Sequence, residues 1–228
     1  AIVDADGQRV SSNEGVSNVT VGVVKGGSMA NMFNGCENMT ECDLAGLNTG
    51  MSNSMYMFFK GCASLEQLNV SQFDTSSVTN MDSMFSGCVA LKQLNLGSFD
   101  TSQVSNMDHM FEDCQSATAI DISSFDTNAA MDMEGMFANC YELLSIDCNI
   151  LKTGKADSMA RMFQNCRSLT SLNANVLKTP NVTDMSFMFA GCENLTVLDL
   201  IDLDVTDVTN MESMFEGCTR VKQLVLTE

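Results

Sequence analysis

The sequence predicts a single α/β solenoid built from a repeat of 26 residues. Eight of the ten cysteines recur at this interval, and each of these eight ends the string Met-x-x-Met-Phe-x-x-Cys, with Phe58 replacing the second methionine once. A string of alternating aliphatic residues follows each cysteine. Strict periodicity over most of a chain indicates stacked coils, each of which buries its apolar side only against its neighbours. The periodic cysteines are Cys36, Cys62, Cys88, Cys114, Cys140, Cys166, Cys192 and Cys218, which predicts about eight coils.

The Met-Phe-Cys string predicts a short helix in each coil. Its apolar residues lie at i, i+3, i+4 and i+7, which is one face of a helix. The residue before the first methionine accepts hydrogen bonds, as Asn80 does, and suits a helix start. The residue before each cysteine tolerates the left-handed conformation that ends a helix, as Gly87 does. In the third coil we expect the helix over residues 81–86.

The aliphatic string predicts a strand. The third coil reads Leu91-x-x-Leu94-x-Leu96, whose last members have the two-residue period of a strand. A turn such as residues 74–78 then leads to the next helix. Stacking would place parallel strands on one face of the solenoid and short helices on the other.

Residues 73–114 closely resemble the BspA-like leucine-rich repeats of bacterial surface proteins, the class with 26-residue repeats. They read FDTSSVTNMDSMFSGCVALKQLNLGSFDTSQVSNMDHMFEDC, and the resemblance covers about residues 27–228. The turns at residues 151–154 and 177–180 depart from the Phe-Asp-Thr-Ser pattern. The resemblance implies a secreted or wall-anchored protein, often an adhesin that binds host or neighbouring-cell proteins.

The two ends of the chain differ from the repeat. Residues 1–26 do not fit the pattern, and we expect them to form a divergent amino-terminal cap on the array of residues 27–228. The last coil stops in mid-repeat at Leu226, although solenoids need polar caps, so we expect an array truncated at this end. An uncapped coil also allows end-to-end self-association. The sequence shows no charged-then-apolar leader and no apolar run that would span a bilayer, so we expect a secreted or cell-surface protein whose signal peptide and anchor are not present in this chain.

The charge is strongly acidic, with 29 acidic and 11 basic residues and a net charge of −18. Nucleic acids and anionic membrane surfaces both attract basic proteins, so the sequence argues against either partner. A soluble extracellular protein, a basic partner or a cation-rich medium fits this charge.

The cysteines allow two interpretations. Equivalent cysteines of adjacent coils would stack about 5 Å apart, but side chains that point the same way do not suit the dihedral angle of a disulfide. We predict reduced thiols packed in the core, including Cys42 and Cys148 in strand slots. Exported proteins usually oxidise their cysteines, so the redox state stays open.

The sequence contains no recognisable catalytic or cofactor-binding group. His109 is the single histidine, and its equivalents in other coils share no chemistry, which predicts an exposed helix position and no enzyme. The cysteine spacing has no C-x-x-C pair for zinc.

The candidate binding residues form a polar column inside the strands, which alternation turns outward. They are Asp43, Asn69, Asn95, Asp121, Asp147, Asn173 and Asp199. One interpretation is a hydrated ladder that bonds to itself, and the other is a docking surface. As a further alternative, Asp121 and Asp147 could share a calcium ion, because adjacent carboxylates repel unless they are screened.

A threonine column invites a separate comparison. Its members are Thr49, Thr75, Thr101, Thr127, Thr153 and Thr179. Regular threonines resemble an ice-binding surface, but we expect turn hydroxyls that bond the local backbone.

The sequence therefore predicts a non-enzymatic module on the cell surface or secreted from the cell. It would recognise a host or neighbouring-cell protein or glycan through the strand face. The alternative is a structural spacer that presents another domain. No cofactor and no membrane insertion are expected.

Overall fold

The computed structural model describes residues 18–20, 27–174, 176–201 and 203–225. The strands of these residues are β1 (Asn18–Thr20), β2 (Glu41–Asp43), β3 (Gln93–Asn95), β4 (Ala119–Asp121), β5 (Ser171–Asn173), β6 (Val197–Asp199) and β7 (Gln223–Val225). A single turn of 3-10 helix, η1 (Cys148–Ile150), lies between β4 and β5. The predicted cap lies outside the described residues except for β1, and its boundary at residue 26 stays a prediction.

The strands pair in parallel and in register, as predicted. Leu94 of β3 lies opposite Ile120 of β4, and Leu172 of β5 lies opposite Leu198 of β6. These partners occupy equivalent positions in consecutive repeats, so the repeats stack directly on one another. The described strands form three separate sheets, β1-β2, β3-β4 and β5-β6-β7, because residues 67–69 and 145–147 are not assigned as strands.

The prediction of a short helix in each coil is wrong. The α/β class is therefore wrong in its helical part, although the parallel strands are present. The Met-Phe-Cys segment is a series of turns in which the third residue has a positive φ, as in Ser83 (55°) and His109 (53°). A right-handed helix cannot contain such a residue. The segment's amides bond to the next coil instead: Met81 N–H donates to Asn106 O at 2.9 Å. A two-turn helix leaves most of its amides without partners, whereas stacked turns pair them between coils.

The residues predicted to begin and end helices mark turn boundaries instead. Asn80 Oδ1 accepts from Asp82 N–H at 2.9 Å, so it caps a turn with the chemistry expected of a helix start. Gly87 and Asp113 have φ values of 74° and 59°, the left-handed conformation expected of them. The side-chain chemistry was therefore predicted correctly, and the conformation between these boundaries was not.

Stacked phenylalanines and cysteines fill the core. The rings of Phe85 and Phe111 stack with centroids 5.8 Å apart, and this stack continues from Phe33 to Phe215. All ten cysteines are free, and the thiol of Cys88 donates to Phe59 O of the preceding coil at 3.3 Å. Cys148 is buried as predicted, but Cys42 is only half-buried.

The threonine column belongs to the interior of the solenoid. The hydroxyl of Thr101 is fully buried and bonds to Asp126 of the next coil, and not to the local backbone as predicted. Thr49, Thr75, Thr127, Thr153 and Thr179 are also buried and donate to the next coil in the same way. Buried hydroxyls cannot contact ice, so the ice-binding alternative is excluded.

Candidate binding surface

The predicted polar column lies on the surface of the solenoid. Asp43, Asn69, Asn95, Asp121, Asp147 and Asn173 are exposed, and Asp199 is half-buried. Six of these side chains accept a hydrogen bond through Oδ1 from the N–H two residues later. The donors are Ala45, Ser71, Gly97, Ser123, Asn149 and Ile201, at distances of 2.9 to 3.1 Å.

These bonds show that the column stabilises local turns, a structural role that the sequence did not predict. Each is an Asx turn, in which a short polar side chain mimics a backbone turn, and at Asp43, Asn95, Asp121 and Asp199 this turn follows an assigned strand. The preference of Asp and Asn for such turns would have suggested it. The surface is therefore rigid, because the side chains that face solvent are held by the backbone that carries them.

The sheet register brings some members of the column together. Asn95 lies opposite Asp121, and Asn173 lies opposite Asp199. Asp121 and Asp147 are not paired by a described sheet, because β4 ends one sheet and the chain enters η1 after Asp147. In the described part of the chain no group of three or more His, Cys, Asp or Glu side chains could hold a metal ion. A calcium ion shared by Asp121 and Asp147 stays a prediction.

Asp121 of the polar column is held in its charged form. Hydrogen bonds from Ser123 lower the pKa of Asp121, and hydrogen bonds from Ser102 lower the pKa of Asp100 in the adjoining turn. Both groups are ionised at neutral pH. The strand face therefore presents fixed negative charge to a partner.

A groove of about 550 Å³ opens on the strand face of the first two coils. It is lined by residues 40–42 and 66–69, so it includes the unassigned strand position of the second coil. Leu68 is half-buried in its floor, whereas the equivalent Leu94 and Leu172 are only 2% and 3% exposed. No sequence signal distinguishes Leu68, because the same residue type is buried in other coils.

A second group of titratable residues lies on the turn side of the solenoid. Asp108 Oδ1 accepts from Glu134 N–H at 2.7 Å, and burial raises the pKa of Asp108 to about 6. His109 is half-buried and not exposed as predicted; its Nδ1 lies 3.3 Å from Glu112 Oε2, and this neighbour raises the pKa of His109.

Gly135 makes room for the His109 ring. A Cβ at residue 135 would lie 2.6 Å from His109 Nδ1. Gly135 also has a positive φ of 58° in a column that otherwise carries side chains. The single glycine of this column is the signal that would have pointed to His109.

The fold thus defines a class of protein, the solenoid of stacked coils with short parallel strands. The chain belongs to the family described as "Mycoplasma protein of unknown function, DUF285", whose model matches residues 27–150 and 144–227. No curated protein matches the chain. Among the residues described by the structure, no helix has the length and apolar character needed to cross a bilayer.

Several solved structures of bacterial leucine-rich repeat proteins are similar to this chain. The leucine-rich repeat protein of T. pallidum is 16% identical, with a TM-score of 0.43, over 97% of this chain and 87% of that one. A leucine-rich cell surface protein of Faecalibacterium prausnitzii is 15% identical, with a TM-score of 0.36, over 90% and 72% of the two chains. An internalin of Listeria monocytogenes is 14% identical, with a TM-score of 0.29, over 88% and 67%. The narrower BspA-like assignment stays a prediction.

Proposed function

We propose that this chain is a non-enzymatic binding module, displayed outside the cell, that recognises a protein or glycan through its strand face. The observation that carries this proposal is the exposed Asp and Asn column, whose side chains are fixed by Asx turns on a rigid stack. A preorganised surface loses little conformational entropy when a partner binds. The extended faces of solenoids are well suited to such contacts.

Two apolar side chains add contact area to the same region. Leu144 is 59% exposed, and Val197 of β6 is 52% exposed. Both lie among the polar residues of the strand face, where a partner protein would cover them. Mixed polar and apolar character is typical of non-obligate protein interfaces.

The experiment is a binding screen of the purified chain against extracellular-matrix proteins and glycans, with and without calcium. Asp121→Asn with Asp147→Asn should weaken binding to any partner found, since each asparagine keeps an oxygen for its Asx turn. Asp100→Asn with Asp126→Asn is the matched control, because these carboxylates also accept from a backbone N–H two residues later. Equal affinity of both double variants would move the site away from the strand face.

The alternative function is a structural spacer that presents another domain. It is favoured by the unbroken phenylalanine stack and by the parallel bridges that link equivalent residues from Ser54 to Asn210. Such a rod needs no ligand. Replacing the array by an unrelated rod of equal length would preserve the activity of the intact protein if the array is only a spacer, and would abolish it if the array binds a partner.

End-to-end self-association is a separate proposal. Val205 and Met211 are 36% and 43% exposed in the last described coil, where another copy would cover them. Sedimentation velocity over a range of concentrations tests this contact. Met211→Glu should abolish any concentration-dependent species, and a monomer at all concentrations would contradict the proposal.

A further inference from the structure

The groove at residues 40–42 and 66–69 differs from the rest of the strand face. In coils whose strands are paired in a sheet, inward residues such as Ile120 and Leu198 are only 6% and 1% exposed, whereas Ile146, at the other interruption of the sheet, is half-buried. At the groove both inward residues, Cys42 and Leu68, are only half-buried. Apolar surface is therefore accessible at the point where the sheet is interrupted.

The rim of the groove is acidic, and its ion pair can be exchanged for one with a partner. Glu41 and Glu66 line it, and Glu66 binds Lys92 at 2.7 Å. The side chains of this ion pair are 59% and 65% exposed, so the pair is a surface salt bridge of little stabilising value. A cation on a partner could replace Lys92 at Glu66 with little loss to the protein.

We propose that this groove binds an extended peptide segment of a partner protein, with an aliphatic side chain against Leu68 and an adjacent lysine or arginine at Glu41 and Glu66. The inference rests on the proposed binding function and names one subsite of it. A volume of about 550 Å³ lies within the range of specific ligand pockets. Charge complementarity selects the basic residue, since the whole chain carries −18.

The lining favours a peptide over a glycan. It contains carboxylates, amides, a thiol and an aliphatic side chain, and no aromatic ring among the described residues. Ring faces are the side-chain surfaces on which sugars commonly stack. The amides of Gln67 and Asn69 suit the carbonyl and N–H groups of an extended backbone.

The first experiment is an NMR titration of the ¹³C-methyl-labelled chain with the peptide Ser-Lys-Leu-Lys-Ser. Chemical-shift changes confined to Leu68 and its neighbours would support the proposal. The affinity should also fall at least about tenfold when both lysines of the peptide become glutamate or its leucine becomes serine. Absence of shifts, shifts away from the groove, or equal shifts with chitotetraose would overturn it.

A matched pair of variants separates the groove from the wider surface. Gln67→Arg places a positive charge in the groove, where it repels the lysines of the peptide, and should weaken binding about tenfold. Ser171→Arg, at the equivalent position in β5, should leave the affinity unchanged. The partner from the screen gives the decisive comparison. If it ignores Gln67→Arg but loses affinity with the Asp121 and Asp147 variants, the groove is excluded while the proposed function stands.

Discussion

The hydroxyl of Thr101 joins its coil to the next through both backbone groups of Asp126. It donates to the Asp126 carbonyl at 2.9 Å and accepts from the Asp126 N–H at 2.8 Å. One buried hydroxyl thus serves as the hydrogen-bond partner of both the carbonyl and the N–H of Asp126. The threonine column is therefore a structural connection between coils.

Thr101→Val should destabilise the solenoid by about 1 kcal/mol, because it removes the buried hydroxyl that bonds to both part-buried backbone groups of Asp126 while nearly conserving volume. Urea unfolding followed by circular dichroism measures this change. Thr101→Ser keeps the hydroxyl and should recover most of the loss. A valine variant as stable as the parent would show that water or a rearranged turn satisfies Asp126.

Gly135→Ala should destabilise the chain by about 1–2 kcal/mol, since the residue has a positive φ and its new Cβ would meet the His109 ring. Adding His109→Ala should recover the steric part of the loss. Gly154→Ala is the matched control, because a Cβ there has no neighbour within 4 Å. Thermal melts of the four proteins measure these differences, and equal effects at residues 135 and 154 would refute the steric explanation.

The carboxyl of Asp108 should make stability depend on pH. Its pKa in the folded state is about 6, above the ordinary value of 3.8, mainly because of burial and despite the hydrogen bond from Glu134. The folded state therefore binds more protons between about pH 4 and 6, and the contribution of Asp108 to stability falls as pH rises through this window. Asp132 and Asp82 add repulsion, and His109 opposes it.

Asp108→Asn should raise the free energy of unfolding at pH 7.5 by about 1 kcal/mol, after allowance for solvent screening, and so raise the melting temperature. It should also flatten the fall in stability between pH 4 and 6. The asparagine oxygen can still accept from Glu134. Asp100→Asn provides the contrast, because Ser102 lowers the pKa of Asp100 and its ionised form stabilises the fold. Melting curves from pH 4 to 8 test both variants, and parallel profiles for Asp108→Asn and the parent would contradict the prediction.

The buried cysteines should resist chemical modification in the folded protein. Burial raises the pKa of Cys88 to about 12 and also raises the pKa of Cys140, which suppresses the reactive thiolate. Burial also raises the pKa of Cys42 to about 12 and raises the pKa of Cys218, so solvent access decides the order of labelling. At pH 8 a thiol reagent should therefore label only the half-buried Cys42 and Cys218, and those slowly, before unfolding. Peptide mapping by mass spectrometry measures the labelling, and rapid modification of Cys88 or a disulfide in the unreduced protein would be the opposite result.

The repeat and its strands were predictable because a period-two pattern has one simple structural explanation. Leu94 and Ile120 lie opposite each other, as stacking of equivalent positions requires. The Met-Phe-Cys string was misassigned because the spacing i, i+3, i+4 and i+7 also occurs in consecutive turns. Only the amides show the difference, and they bond to the next coil, a partner that local periodicity does not encode.

The candidate site was predictable in position but not in its local construction. Alternation placed Asp121 and its equivalents on the surface, and the structure agrees. The groove was not predictable, since the half-exposure of Leu68 depends on an interruption of the sheet and not on residue type. Asp108 was missed for a similar reason, because the burial of its carboxyl arises from the neighbouring coils.

The inter-coil amide bonds of residues 81–87 all point from their coil to the following one, as from Ser83 N–H to Asp108 O. Elsewhere around the coil the bonds of Ala90 to Ala63 and of Thr118 to Lys92 point back to the preceding coil. Peptide dipoles in these two walls therefore oppose each other, whereas those of an α-helix add together. Each added repeat would thus contribute peptide dipoles of both directions, so the axial polarisation of a longer array would grow more slowly than that of an α-helix.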